Sequence, residues 1–316
     1  MPLRNSLFAV SGKASFLDAR RDMSGLFVCD NTTMMPIAGI LDRSQDNLVT
    51  GNSNSMSVTV HPFNAVLNRY GALLVQNDGN ANVPLPAAPS ANSRIDVVYM
   101  KQNETRSPMS DSSDDPTFGV VKGVAAATPV APAVPAGALA LAQVLLPAGV
   151  SNTAAAGVVI TQSYIGAALK GDKLLVQTSG QRDAITHVPE GTVLHNVADG
   201  CDYVRKGGKW RGWNMPRRDI HLGNHKVYMW VSNGVGYVNL RAENANLTGW
   251  ASKVAVGQVN NSAFYPTASE ECFAPSRDSY LPTKARVSTN GAVEVEYAGG
   301  QTGNRSVSTI ISYPIG

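Results

Sequence analysis

At 316 residues the chain is long enough for two or three domains, each with its own core. Its net charge of +3, from 26 Lys and Arg against 23 Asp and Glu, is too small to call for nucleic acid or an anionic membrane as partner. Charged residues are sparse while Gly, Ala, Ser, Asn, Thr and Val are plentiful, a mix that favours strands and turns over helices. Cys29, Cys201 and Cys272 lie far apart without CxxC spacing. They are expected as isolated buried thiols, not a disulfide framework or zinc site. Residues 1–6 lack a signal peptide's long apolar core, which predicts synthesis in a cytoplasm and, for a protein found outside, export by assembly.

Arg20, Arg21 and Asp22 suit a short helix or an arm. Met56, Val58 and Val60 alternate with Ser57, Thr59 and His61, the pattern of a half-buried strand. Residues 65–76 read as two strand-like runs split near Tyr70-Gly71, and Asn77-Asp78-Gly79-Asn80 is a turn cluster. Strands at such short intervals predict an antiparallel sandwich and not βαβ units.

Residues 93–150 organise the rest. Arg94-Ile95-Asp96-Val97-Val98-Tyr99-Met100 is a compact buried-strand signal; a polar loop over 102–115 separates it from a second one, Phe118-Gly119-Val120-Val121. Pro129, Pro132 and Pro135 then fall three apart, followed by an apolar run over 138–146, and no residue from Gly123 to Leu169 is charged. With Pro147, four prolines exclude a membrane-spanning helix, because each removes a backbone donor that lipid cannot replace. An extended, polyproline-like connector leading into a strand buried on both faces is expected. Such a surface needs covering by its own domain or by another copy of the chain.

The order of Ala19-Arg20-Arg21, Gly39-Ile40-Leu41, Leu48-Val49-Thr50, residues 56–60, Ser93-Arg94-Ile95-Asp96-Val97-Val98, Val121-Lys122-Gly123, the Pro129–Pro135 segment and Leu141-Ala142-Gln143-Val144 resembles the N-terminal shoulder region of tailed-bacteriophage minor tail, baseplate and receptor-binding proteins. The likeness covers roughly residues 15–165. It implies a β-sandwich that attaches the chain to a tail tip, commonly as a homotrimer, with other tail and baseplate proteins as partners and the virion as location. The family often closes this domain with an Asp-Arg pair, where this chain reads Thr161-Gln162-Ser163-Tyr164-Ile165.

Residues 166–185 suit a short helix or linker, and Pro189-Glu190-Gly191-Thr192-Val193 opens a small β unit. Residues 203–213 read as a hairpin turned by Gly207-Gly208, similar to small connecting modules of phage tail proteins. Strand signals recur at 226–231, 236–240, 292–297 and 308–313. The expected fold class is therefore all-β: a shoulder-like antiparallel β-sandwich over 1–165, a neck with a small β-hairpin over 166–215, and a C-terminal β-domain over 216–316.

Several residues invite chemistry. His221 and His225 are four apart, but Gly223-Asn224 between them predicts turn histidines in place of metal ligands. Glu294 and Glu296 share one strand face about 7 Å apart, a glycosidase-like separation, yet the alternation with Val293, Val295 and Tyr297 predicts a solvated sheet face. Asp111, Asp114 and Asp115 lack EF-hand spacing and are expected on a mobile, solvated loop tip. Arg205, Lys206, Lys209 and Arg211 with Trp210 and Trp213 predict a solubilised hairpin pinned by its tryptophans, not a nucleic-acid site. No Gly-x-Ser-x-Gly, Walker loop, dinucleotide fingerprint or His-Glu-x-x-His occurs, so no catalytic residue, metal or cofactor is assigned.

Aromatics crowd the C-terminal third, among them Trp230, Tyr237, Trp250, Phe264, Tyr265 and Tyr280. Trp250, Phe264, Tyr265 and Tyr280 are the candidate receptor contacts, through stacking on host-surface glycan. The sequence thus predicts a non-enzymatic, homotrimeric tail-tip or baseplate protein. It inserts in no membrane, and binding is multivalent. Purely architectural contact with other virion proteins and cell-wall glycan hydrolysis are the alternatives.

Overall fold

A computed structural model describes residues 15–41, 47–277 and 281–316. Strands take 48% of the chain and helices 6%, so the chain is all-β. It folds as two compact units, Met1–Thr192 and Val193–Gly316, a division that falls within the expected neck segment.

In the first unit, helix α1 (Phe16–Ser24) precedes strands β1 (Gly39–Ile40), β2 (Val49–Gly51), β3 (Ser57–Val60), β4 (Phe63–Asn68), β5 (Ala72–Asn77), β6 (Ala81–Pro84), β7 (Arg94–Gln102), β8 (Pro116–Val121), β9 (Leu139–Leu146), β10 (Val159–Gln162) and β11 (Leu174–Val176), then helix α2 (Ser179–Ala184). Ser15 caps α1 in a reciprocal capping box with Asp18. Antiparallel sheets run in the orders β1-β4-β5, β2-β3-β6 and β10-β9-β7-β8. Their inward residues, including Ile40, Val58, Val60, Phe63, Leu67, Val98, Leu141 and Leu146, share one apolar core. The Gln162 amide behaves like a strand partner: it accepts from the Val49 amide at 3.1 Å and donates to the Val49 carbonyl at 2.9 Å, tying β10 to β2.

Two polar devices hold the β7 region. Arg94 and Asp96 are two apart on β7 and so share a face; both are buried, and they form a two-pronged ion pair at 2.7 and 2.8 Å. Asp96 also accepts the Gly123 amide at 2.9 Å, and Arg94 donates to the Pro86 carbonyl at 3.0 Å. The second device lies in the loop after β7. Lys101 binds Asp111 at 2.5 Å, Arg69 binds both Asp111 and Glu104, and Arg20 of α1 joins Glu104. Asp114 takes the Thr105 amide and hydroxyl at 2.7 and 3.0 Å. The solvated tip expected here is corrected for Asp111 alone, which is half-buried among cations; Asp114 and Asp115 are exposed. Strand β9 also departs from expectation, since Ala140, Gln143 and Leu145 on its second face are only half-buried.

The second unit comprises β12 (Val193–Asn196), β13 (Cys201–Lys206), β14 (Lys209–Asp219), β15 (Lys226–Ser232), β16 (Val235–Leu247), β17 (Lys253–Gln258), a 3-10 turn (Ser262–Phe264), β18 (Glu270–Phe273), β19 (Thr283–Val287), β20 (Ala292–Tyr297) and β21 (Gly303–Pro314). Within it, one sheet runs β12-β13-β14-β15-β16-β21 and another β17-β20-β19-β18. The predicted hairpin is present, with Lys206 opposite Lys209 and Gly207 and Gly208 at φ 58° and 70°, the left-handed pair a two-residue turn needs. The boundary expected at 215 falls inside β14, which carries the hairpin's second strand on into the sheet. Cys29 and Cys201 are buried free thiols, and burial foremost pushes Cys201 up to about 12; Cys272 is only half-buried. Arg305 is buried, donating to the carbonyls of Pro282 at 2.7 Å and Gly299 at 3.1 Å, which joins the β18–β19 and β20–β21 connections.

Asp96→Ala leaves Arg94 buried without its counter-charge and should destabilise by about 3–5 kcal/mol; chemical denaturation measures it, with Arg94→Met/Asp96→Leu expected to cost less. Asp111's carboxyl is held down to about 2, chiefly by the Lys101 hydrogen bond. An unfolded Asp titrates near ~3.9, so this contribution is full above that pH and fades as pH falls toward 2. Asp111→Asn should lower Tm at pH 7 and flatten the loss of Tm between pH 4 and pH 2.

Candidate functional site: an aromatic sheet face

Strand β15 alternates strictly. Val227, Met229 and Val231 face the core, which leaves Lys226, Tyr228, Trp230 and Ser232 on the outer face. Strand β16 matches it: Val238 and Leu240 are buried, with Tyr237, Asn239 and Arg241 outside. The register places Trp230 opposite Tyr237 and Tyr237 opposite Ser312; one step along, Tyr228 faces Asn239, and Asn239 faces Ile310. The Trp230 and Tyr237 rings stack at 5.3 Å and 9°, a direct cross-strand aromatic pair. A bulge in β14 between Met215 and Arg218 advances its register, and the Arg217 guanidinium lies 4.1 Å from the Tyr228 ring centre.

The electrostatics of this face are mixed. Among the described residues, Arg217 and Lys226 have no ion-pair partner. Asp219, opposite Tyr228, is bound by His221 Nδ1 at 2.6 Å, and that hydrogen bond holds its carboxyl below the usual range. Farther along β16, Glu243 is paired with Arg241 at 2.6 Å and Arg277 at 3.1 Å, which holds its carboxyl low as well. Three half-buried rings beside an amide, hydroxyls and cations can stack on a sugar's C–H face while bonding its hydroxyls. Ile310, 56% exposed on the same face, adds an apolar contact.

The predicted contacts are scattered over other elements. Trp250 is 86% exposed in the β16–β17 turn, between Gly249 and Ala251, both at positive φ. Phe264 is a correction: it is 1% exposed, packs 5.5 Å from the Tyr203 ring, and fills the space over Gly212, where a Cβ would meet its ring at 2.1 Å. Asn261 caps the 3-10 turn by accepting the Ala263 amide, which directs Phe264 inward. Tyr265 is half-buried with its ring against Gly291, and Tyr280 lies outside the described residues. The structure brings none of Trp250, Phe264 and Tyr265 into the Trp230–Tyr237 face. Period-two alternation along residues 226–241 was the signal that could have found it.

The other candidates resolve into local contacts. His221 binds Asp219, while His225 Nδ1 accepts the Glu243 amide at 3.2 Å and burial foremost lowers its pKa. Glu294 meets Lys253 at 3.3 Å and accepts the Ser288 hydroxyl at 3.2 Å. Trp210 is buried against the hairpin and near Arg205. Among the described residues, no group of three or more His, Cys, Asp and Glu is placed to hold a metal, and no helix is long and apolar enough to cross a membrane. No protein-family model and no curated protein matches the chain.

Phe264→Ala should cost about 3–5 kcal/mol as a core truncation, and Trp250→Ala should stay within about 0.5 kcal/mol as a surface change; paired urea melts measure both.

Proposed function

We propose that this chain is a non-enzymatic structural component of a tailed-phage virion, a minor tail or baseplate protein acting as a homotrimer. Its first unit anchors it among other virion proteins, and its second unit contacts host-surface glycan. The sequence likeness over residues 15–165 motivates the reading. The observation that carries it is the surface of the uncharged stretch: Val124 and Val130 are 78% and 77% exposed, and Val159 and Leu169 are more than half exposed. Exposed apolar side chains with no charge among them suit burial against other chains. The Trp230–Tyr237 face supplies the outward contact, and three copies raise avidity by ~10²–10⁴ over one weak site.

Ile310 on the aromatic face favours the architectural alternative, in which that face meets another tail protein. The hydrolase alternative needs a free carboxylate pair, and Glu294 is engaged by Lys253 and Ser288.

Antibody labelling of intact particles should decorate the tail tip, and light scattering of the purified chain at micromolar concentration should give a trimer mass. A monomer absent from particles would reject the reading. On a glycan array, Trp230→Ala should abolish host-glycan binding with folding intact; loss on Trp250→Ala instead would move the contact to the turn. Binding to tail proteins but to no glycan would select the architectural alternative.

A further inference from the structure

The first unit contains an open cavity of about 550 Å³ beside the β4–β5 turn, lined in part by Arg69, Tyr70, Lys101, Met109 and Asp111. Its charged wall is unbalanced. Two cations, Arg69 and Lys101, line it against one carboxylate, Asp111, while behind the wall Glu104 is shared by Arg69 and Arg20. Arg69 is 8% exposed; its Nε goes to Glu104 and its Nη2 to Asp111. Among the described residues its Nη1 has no hydrogen-bond partner. That nitrogen stands at the cavity wall formed by Gly137, where a Cβ would come within 2.5 Å of it. Gly137 has φ 75°, so both its backbone and its missing side chain keep this approach open. Lys101 Nζ spends one donor on Asp111 and has two more.

An anion in the cavity can take charge-assisted hydrogen bonds from Arg69 Nη1 and the spare Lys101 donors together, and such bonds are about twice as strong as neutral ones. One net charge calls for one negative charge. A dianion such as phosphate would leave its second charge against Asp111, whose two oxygens are already taken. The rest of the wall is uncharged, with an apolar stretch from Met35, Tyr70, Pro108, Met109 and Ala136 beside the polar Thr33, Asn68 and Ser110. The apolar stretch fits a hydrocarbon stem.

We propose that this cavity is a socket for a single carboxylate on a short apolar stem, the C-terminal residue of a neighbouring protein chain. Arg69 Nη1 and Lys101 Nζ bind the carboxylate, and Tyr70 and Met109 hold the stem. The protein source rests on the assembly function proposed above; the charge argument for the socket does not.

Isothermal titration of the full-length chain with N-acetyl-leucine, N-acetyl-leucinamide and inorganic phosphate at fixed ionic strength tests the socket without reference to any particle, so its failure is separable from a failure of the virion reading. The acid should bind once per chain, at least tenfold more tightly than the amide, and phosphate should bind no better than the amide. Arg69→Lys keeps the charge but lacks the second nitrogen, and should weaken the acid at least tenfold. Ser110→Trp fills the cavity without touching the ion pairs and should abolish binding with Tm unchanged. Equal binding of acid and amide, tighter binding of phosphate, or wild-type affinity in Ser110→Trp would overturn the proposal.

Discussion

The buried pairing of Arg94 with Asp96 is the constraint on which the first unit depends. Two ionised side chains removed from water are tolerable only when every prong is met, and here the strand spacing, the Gly123 amide and the Pro86 carbonyl meet them. The pair therefore fixes three stretches at once: the start of β7, the segment after β6, and the point where the uncharged connector leaves the sheet. Gly123 has no freedom there, since a Cβ would lie 2.0 Å from the Ile95 carbonyl oxygen. Strand β7 then pairs with β8 on one side and β9 on the other, so the fork also sets the position of the largest sheet in its unit.

Charge is distributed with a purpose that can be read residue by residue. In the first unit two groups of charges are turned inward, the Arg94–Asp96 fork and the Arg20–Glu104–Arg69–Asp111–Lys101 chain, while residues 123–169 carry none. The second unit does the opposite on one of its sheets. Lys253, Glu294, Lys284 and Glu271 alternate in sign across β17, β20, β19 and β18, and such exposed cross-strand pairs contribute little individually but keep a face solvated. Its other sheet turns rings outward instead. A charged sheet face and an aromatic one thus occur in the same unit.

Much of the architecture was legible because it rests on period-two alternation and turn chemistry. Met56–Val60 carries the alternation, the Gly207-Gly208 hairpin the turn, and the Arg94 and 226–231 strands are compact runs of strand-forming residues; each forms. Strands β17, β18 and β19 were not legible: β18 and β19 are short, polar and flanked by Pro275 and Pro282, β17 is broken by a bulge between Ala255 and Gly257, and the register that makes them strands comes from their neighbours in the sheet. Phe264 was misplaced for a related reason. A Pro follows two residues later and Asn and Ser precede it, which reads as an exposed loop, yet the Asn261 cap turns the ring into a space left by Gly212. The ion chain around Asp111 draws on residues 20, 69, 101, 104 and 111, separations that no local pattern reveals.

The central physical claim, that the Arg94–Asp96 fork anchors the uncharged connector, is tested most directly by hydrogen exchange at the Gly123 amide. If Asp96 holds that amide in a buried site, it exchanges as slowly as the β7 amides of Val97 and Val98, on the scale of global unfolding. Exchange within seconds at Gly123, alongside full protection in β7, would contradict the account.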